Sequence, residues 1–230
     1  VGDVAEAAGG TRTCPVVDVP ASGAGSASDT ALTAIKANPN CFVFNEVFPG
    51  GFTPSFGGSV SDWSIASGVK GNTASGTLYD VSVSVGENQA DYYIENTLNG
   101  SLGPKSPTSF NPGSYVQLEK NFNADFSKGF PVASFASDLN VAWGLEFREE
   151  QFTVISGNEE SWEIGPYFKQ GFGIGSNGFG GFSPSMAGTW DRSNLGVYVD
   201  LEADVSENLL LGLAVRYEDF DTFGSTSNSK

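Results

Sequence analysis

Residues 139–150 alternate with a strict period of two. Leu139, Val141, Trp143, Leu145 and Phe147 fall on one side, and Asn140, Ala142, Gly144, Glu146, Arg148 and Glu150 on the other. Successive side chains of a strand point to opposite faces, so this segment reads as a strand with one apolar face and one polar or small face. The apolar run covers roughly nine residues, or about 30 Å at ~3.3 Å each. Ordinary strands average about 5–6 residues.

The pattern recurs along the chain. Leu195, Val197, Val199, Leu201, Ala203 and Val205 alternate with Asn194, Gly196, Tyr198, Asp200, Glu202 and Asp204. Leu209, Leu211, Leu213, Val215 and Tyr217 alternate with Gly212, Ala214, Arg216 and Glu218. Val116, Leu118, Phe122, Ala124 and Phe126 alternate with Gln117, Glu119, Asn121, Asn123 and Asp125, with Lys120 the one charge on that apolar side. Tyr79, Val81, Val83 and Val85 continue the theme, and Trp63, Ile65 and Val69 do so more weakly. A soluble sandwich with one wet face shows the same alternation, so pattern alone leaves both open. Length favours a membrane barrel: tilted by about 40°, the apolar run covers roughly 23 Å, close to a barrel's ~25 Å apolar band.

Connection lengths point the same way. Strands are expected near 56–70, 78–94, 114–127, 138–154, 190–205 and 209–220. Short turns join them at 71–77, 127–138 and 206–208, and long loops at 96–112 and 156–189. A further loop fills Val1 to about Thr53, with one helical signal at 29–37 and Ser28 or Asp29 as its cap. Loops longer than about 12–15 residues are uncommon in compact soluble domains, whereas outer-membrane barrels pair short periplasmic turns with long extracellular loops.

Composition narrows the partners. The chain has 11 Lys+Arg against 27 Asp+Glu and a formal charge of -16. Phosphate neutralisation needs basic patches, so no nucleic acid is expected. No run of about 18 apolar residues occurs, so no transmembrane helix is expected. The polar run 225–230 reads as a tail without a closing strand, and the chain as an internal piece of a longer protein. Cys14 and Cys41 lie in a Gly/Ser/Ala/Pro-rich stretch. A disulfide there fits an oxidising compartment, two free thiols being the alternative.

Several short stretches then occur in order: Phe48-Pro49-Gly50-Gly51-Phe52-Thr53-Pro54, Tyr79-Asp80-Val81-Ser82, Leu102-Gly103-Pro104, Gly144-Leu145-Glu146-Phe147-Arg148-Glu149-Glu150, Arg192-Ser193-Asn194, Tyr198-Val199-Asp200-Leu201-Glu202-Ala203-Asp204 and Val215-Arg216-Tyr217-Glu218-Asp219. Through them, from about Asn40 to its end, the chain resembles TonB-dependent outer-membrane receptors. The resemblance implies an all-β fold: an antiparallel transmembrane β-barrel segment of about six strands that this chain alone does not close. Residues 1–53 would be a long extracellular loop, with a short helix and the Cys14–Cys41 disulfide, and 54–230 part of the barrel. It implies residence in a Gram-negative outer membrane and a part in energy-coupled uptake of a scarce nutrient, such as a siderophore or oligosaccharide. Lipid, a plug domain of the same protein, the TonB energy-coupling protein and a small nutrient are the implied partners. The plug and the energy-coupling box would lie outside this chain. A secreted glycan-binding β-sandwich is the alternative.

Trp143, Leu145, Val197, Val199, Leu211 and Leu213 are then expected to face lipid. Glu146, Arg148, Glu150, Tyr198, Asp200, Glu202, Asp204, Arg216 and Glu218 are candidates for the lumen. Phe172, Phe179, Phe182 and Trp190 are candidates for ligand contact, with packing over the barrel mouth the favoured role for the three loop aromatics. Gly173-Ile174-Gly175-Ser176-Asn177-Gly178 has a dinucleotide-binding spacing but no βαβ context, and reads as a flexible loop. Asp219–Gly224 only partly resembles a calcium loop, because Phe223 replaces a ligand. The sequence contains no His, which excludes a Ser-His-Asp triad within the chain. No catalytic constellation, metal site or cofactor is expected.

Overall fold

A computed structural model describes residues 1–15 and 29–230. The chain divides into two units. Val1–Ser59, Ala90–Tyr115 and Val154–Gly188 form the first, here the loop unit. Val60–Gln89, Val116–Thr153 and Thr189–Lys230 form the second, the sheet unit. The three expected long loops fall in the first and the three short turns in the second.

In the loop unit, Gly2–Asp3 (β1) pairs antiparallel with Cys41–Phe42 (β2). Val4–Ala7 (α1) starts directly after β1, and Asp29–Lys36 (α2) matches the one helical signal read from the sequence. Ser28, one of the two caps named for that helix, lies outside the described residues. Strand character and a first helix were not expected in residues 1–53. The cause is Asp3, whose Oδ1 accepts from the backbone N–H of Glu6 at 2.9 Å and so caps α1. A disulfide joins Cys14 and Cys41, with Cα atoms 5.5 Å apart. Around it Ile35 and Val43 are buried, with Val1 packed against them.

Seven strands then form one sheet in chain order: Ser55–Asn72 (β3), Leu78–Glu95 (β4), Ser109–Phe130 (β5), Leu139–Ser156 (β6), Gly188–Ser206 (β7), Leu209–Phe220 (β8) and Gly224–Ser229 (β9). β3 and β4 have 18 residues each and β5 has 22, about three to four times an ordinary strand. The sheet runs from β3 to β9 without closing on itself, as expected of a barrel segment. A sandwich would need a second large sheet, and the other sheet among the described residues has two strands.

β9 makes the sheet one strand larger than the six segments expected, and it corrects the reading of 225–230 as a tail without a strand. It pairs with β8 from Val215↔Ser229 to Phe220↔Gly224, inside the stretch read as a polar tail. A ladder needs only backbone N–H and C=O groups, so Ser and Thr join it with no apolar face to announce them. β5 also begins earlier than expected, with Pro112 inside it. Proline lacks an N–H, but the carbonyl of Pro112 accepts from the Phe182 N–H at 2.8 Å.

Candidate functional site

The two faces of the sheet unit differ in chemistry. Across β7 and β8 the register sets Val197 opposite Tyr217, Val199 opposite Val215, Leu201 opposite Leu213 and Ala203 opposite Leu211. Leu145, Val197, Val199, Leu211 and Leu213 stand 37%, 43%, 47%, 55% and 52% exposed. A soluble protein rarely leaves so continuous an apolar surface uncovered. Lys120, the charge expected on this side, pairs with Glu149 of the next strand at 2.9 Å. Trp63 likewise donates its indole N–H to Glu87 at 3.1 Å.

The other parity carries a charged network. Glu146 accepts from Arg148 at 2.6 Å through Oε1 and from Arg216 at 2.8 Å through Oε2. Arg216 also donates to Glu218 at 3.0 Å, and the Asn194 amide donates to Glu218 at 3.3 Å. Glu150 pairs with Arg192. Tyr198 donates its hydroxyl to Asp125 at 2.7 Å, reaching from β7 to β5 over β6. Gly144 makes that crossing possible: a Cβ there would lie 2.6 Å from both the Tyr198 ring and the Asp125 carboxylate. Asp200 and Glu202 stand in register with Ala214 and Gly212, which are too small to answer them, and Asp204 is opposite Leu210. Asn121 Oδ1, Arg148 Nε and Asn194 Oδ1 are buried without a hydrogen-bond partner among the described residues, and all three belong to polar-parity residues.

So the structure joins Glu146, Arg148, Arg216 and Glu218 in one cluster, with Glu150 in a separate pair. It leaves Asp200 and Glu202 outside both. Arg192, Asp125 and Gly144 were not among the lumen candidates, although the alternation sets Asp125 and Gly144 on the polar side. Parity could have found Arg192 and Asp125; nothing short of the packing shows why residue 144 is glycine.

The loop unit is built differently. Phe179 stacks on Phe56 at 4.4 Å, Phe182 stacks on Tyr115 at 4.8 Å, and Phe172 meets Phe44 edge-on at 5.4 Å. The three loop aromatics are therefore packed, whereas Trp190 on β7 is 54% exposed. Backbone hydrogen bonds tie the loop around them to neighbouring segments of the unit. Asn99 pairs with Ser176 as a β-bridge. The Asn177 N–H donates to the Leu98 carbonyl at 3.0 Å, and the Gly181 N–H to the Ser161 carbonyl at 2.8 Å. The 173–178 glycines serve this path: Gly175 and Gly178 take φ of 70° and 100°, the left-handed region that favours glycine.

Two buried polar residues organise the unit, and neither carries a sequence signal. Asn99 is fully buried; its amide donates to the carbonyls of Glu160 and Glu163 at 2.9 and 3.0 Å, while its oxygen accepts from Ser101 Oγ at 2.7 Å. Asp3 is fully buried too, and its backbone is read by the Gln170 amide through two 2.8 Å hydrogen bonds. Burial alone would raise the Asp3 pKa, but the N–H groups of Glu6, Cys14 and Thr13 outweigh it and hold the carboxyl well below the usual range. Tyr167 is pushed up by burial and by the Asp3 charge.

α1, residues 102–105 and residues 160–167 surround a cavity of about 610 Å³. Val4, Ala7, Leu102, Pro104 and Pro166 give it apolar walls; Lys105, Glu160, Glu163 and Tyr167 add polar groups. Burial raises the Glu163 pKa, and the charges of Glu159 and Glu160 raise it further.

Residues 24–230 match a protein-family model described as "TonB dependent receptor-like, beta-barrel". No curated protein and no solved structure matches the chain.

Proposed function

Because this chain belongs to the TonB-dependent receptor β-barrel family, a family of outer-membrane transporters, we propose that it supplies wall strands and outer loops to a receptor for energy-coupled uptake of a scarce nutrient such as a siderophore or an oligosaccharide. The apolar parity of β3–β8 meets lipid. The polar parity, with Glu146, Arg148, Glu150, Tyr198, Asp200, Glu202, Asp204, Arg216 and Glu218, lines a wet lumen and meets the plug of the same protein. The single observation that carries this reading is the segregation itself: the long exposed apolar row lies on the parity opposite the Glu146–Arg148–Arg216–Glu218 network and the three buried polar atoms that have no partner among the described residues. Lipid satisfies the first face, and only water or a polar partner satisfies the second. The mechanical step belongs to the plug and the TonB protein, and this segment's part is to hold the wall rigid while the plug moves.

The test is uptake by cells carrying the full-length receptor. Growth on a chelated-iron source, or on an oligosaccharide as sole carbon source, should require both the receptor and the TonB protein. Uptake that persists without the TonB protein would overturn energy coupling. A spin label at position 211 that proves accessible to a water-soluble quencher, with one at 202 accessible to a lipid-soluble quencher, would overturn the assignment of faces.

A further inference from the structure

One row of the polar parity stays open where its neighbours close on themselves. Gln151 donates to Asp191 at 2.8 Å and the hydroxyls of Thr153 and Thr189 meet at 3.0 Å, so Phe152 on β6 stands opposite Trp190 on β7. The Asn158 N–H bond to the Asn111 carbonyl and the Lys120–Glu149 pair bracket β5 against β6 and bring Gln117 opposite Phe152. Ser114 with Asp91 and Asn121 with Ser84 bring Asn88 opposite Gln117, and Asn88 donates to Asp62 at 2.6 Å. Asp62, Asn88, Gln117, Phe152 and Trp190 therefore form one row across β3–β7. All five are exposed, Phe152 and Trp190 by 40% and 54%. In the rows that follow, Glu119 accepts from Asn121, Glu150 from Arg192 and Glu146 from Arg148.

Each of the five lies within two residues of Val60, Gln89, Val116, Thr153 or Thr189, where the strands pass into the loop unit. On the reading above, on which this inference rests, that end of the polar face opens to the incoming nutrient. Beside the aromatic pair a trough of about 500 Å³ runs among Asp62, Ser64, Asn88, Gln117, Glu119 and Asn121, within the ~300–1,000 Å³ of small-molecule sites. Asn121 Oδ1, in its wall, has no hydrogen-bond partner among the described residues. Adjacent strands lie ~4.8 Å apart, so the row extends over about 19 Å, long enough for several sugar rings.

The two parts of the row select a ligand chemistry. Flat rings side by side offer apolar area and a negative π face to C–H groups. The trough offers amides and hydroxyls, which both donate and accept, and carboxylates, which accept. An ammonium ion only donates, and leaves the amide N–H groups unanswered. An anionic ferric chelate meets Asp62 and Glu119 with like charge, and Arg192, two residues along from Trp190, is already paired with Glu150. We propose that this row binds a neutral oligosaccharide, which is then the nutrient class of the receptor. Successive sugar rings lay their C–H faces on Trp190 and Phe152, and their hydroxyls accept from Asn88 and Gln117 and donate to Asp62 and Glu119.

The full-length receptor, purified in a detergent without a sugar headgroup, should be titrated by calorimetry with maltohexaose, cellohexaose and xylohexaose, and with hexagalacturonate and a ferric tris-catecholate as anionic comparisons. At least one neutral hexaose should bind saturably, and at least tenfold more tightly than either anion. W190A should weaken that hexaose at least tenfold with barrel melting unchanged, and W190F, which keeps an aromatic face, should retain most of the affinity. No saturable binding of any of the three hexaoses, tighter binding of either anion, or wild-type affinity in W190A would each overturn the proposal. Binding by the purified protein does not depend on the TonB protein. TonB-dependent growth on the ferric chelate with no hexaose bound would therefore overturn this ligand class and leave the uptake function standing.

Discussion

The loop unit folds like a small soluble protein, and the sheet unit folds inside out. Ile35, Phe42, Ile94, Leu98, Phe110, Tyr167 and Phe182 are all buried in the loop unit. In the sheet unit the buried hydrophobic residues are Ala124 and Ala203, and none of its leucines and valines is buried. The buried polar residues divide in the same way: Asp3, Thr97, Asn99, Ser101, Ser161 and Ser176 lie in the loop unit and Asn194 alone in the sheet unit. The surroundings explain the contrast. In lipid an exposed leucine is satisfied and the backbone ladder supplies the order. Loops in water must bury what apolar surface they have and order the rest with side-chain-to-backbone hydrogen bonds.

Asn99→Ala gives the sharpest break. It strips partners from the Glu160 and Glu163 carbonyls and from Ser101 at a fully buried site, costing on the order of 4 kcal/mol, since each unmet buried group costs about 1–3. Amide exchange should rise across 96–106 and 159–165 and stay unchanged in β7 and β8. Spread of the loss into those strands would show that the units are not energetically separate.

Reduction of the disulfide comes next. Chain entropy for a sequence separation of 27 gives about 3.5 kcal/mol, spent on the loop unit alone. Protease cleavage within 1–41 should accelerate with reductant while barrel melting holds. Identical cleavage with and without reductant would assign the order of this segment to Asp3 and Gln170 instead.

In the sheet unit, Leu211→Arg should cost about 2–4 kcal/mol near the bilayer midplane, and Glu202→Gln much less. Refolding into lipid vesicles measures both, and equal losses would erase the distinction between faces.

The smallest effect concerns acid. The Asp3 pKa is depressed, so its stabilisation is fully present above the ordinary Asp value of about 3.9 and is lost as pH falls below that value through the folded one. The segment 1–15 should loosen only in strong acid, read by exchange at Glu6 and Cys14. In Asp3→Asn the segment should already be looser at neutral pH and lose this acid step; a step that persists in the variant would assign it to another group.

Six of the seven strands of the sheet were legible because each carries an alternating run of apolar residues. β9 was not, because Gly224–Ser229 pairs through its backbone and has no face to pattern. Asp200 and Arg216 were both legible as polar-face residues, but only the register shows that Arg216 finds Glu146 and Glu218 while Asp200 stands opposite Ala214. The loop aromatics were legible as residues, and the fold assigned them to packing against Phe44, Phe56 and Tyr115.

The sequence by itself determined the strands, their two faces, the unequal connections and the family they resemble. The strands, faces and connections follow from periodicity and spacing, and the resemblance from short stretches in order, all of them local. Tertiary structure decided the roles of Asp3, Asn99, Gln170 and Gly144 and the existence of the loop cavity. Those depend on contacts such as Asp3 with Gln170, 167 residues apart in the chain, and no local pattern encodes a hydrogen bond between segments that only the closed loops bring together.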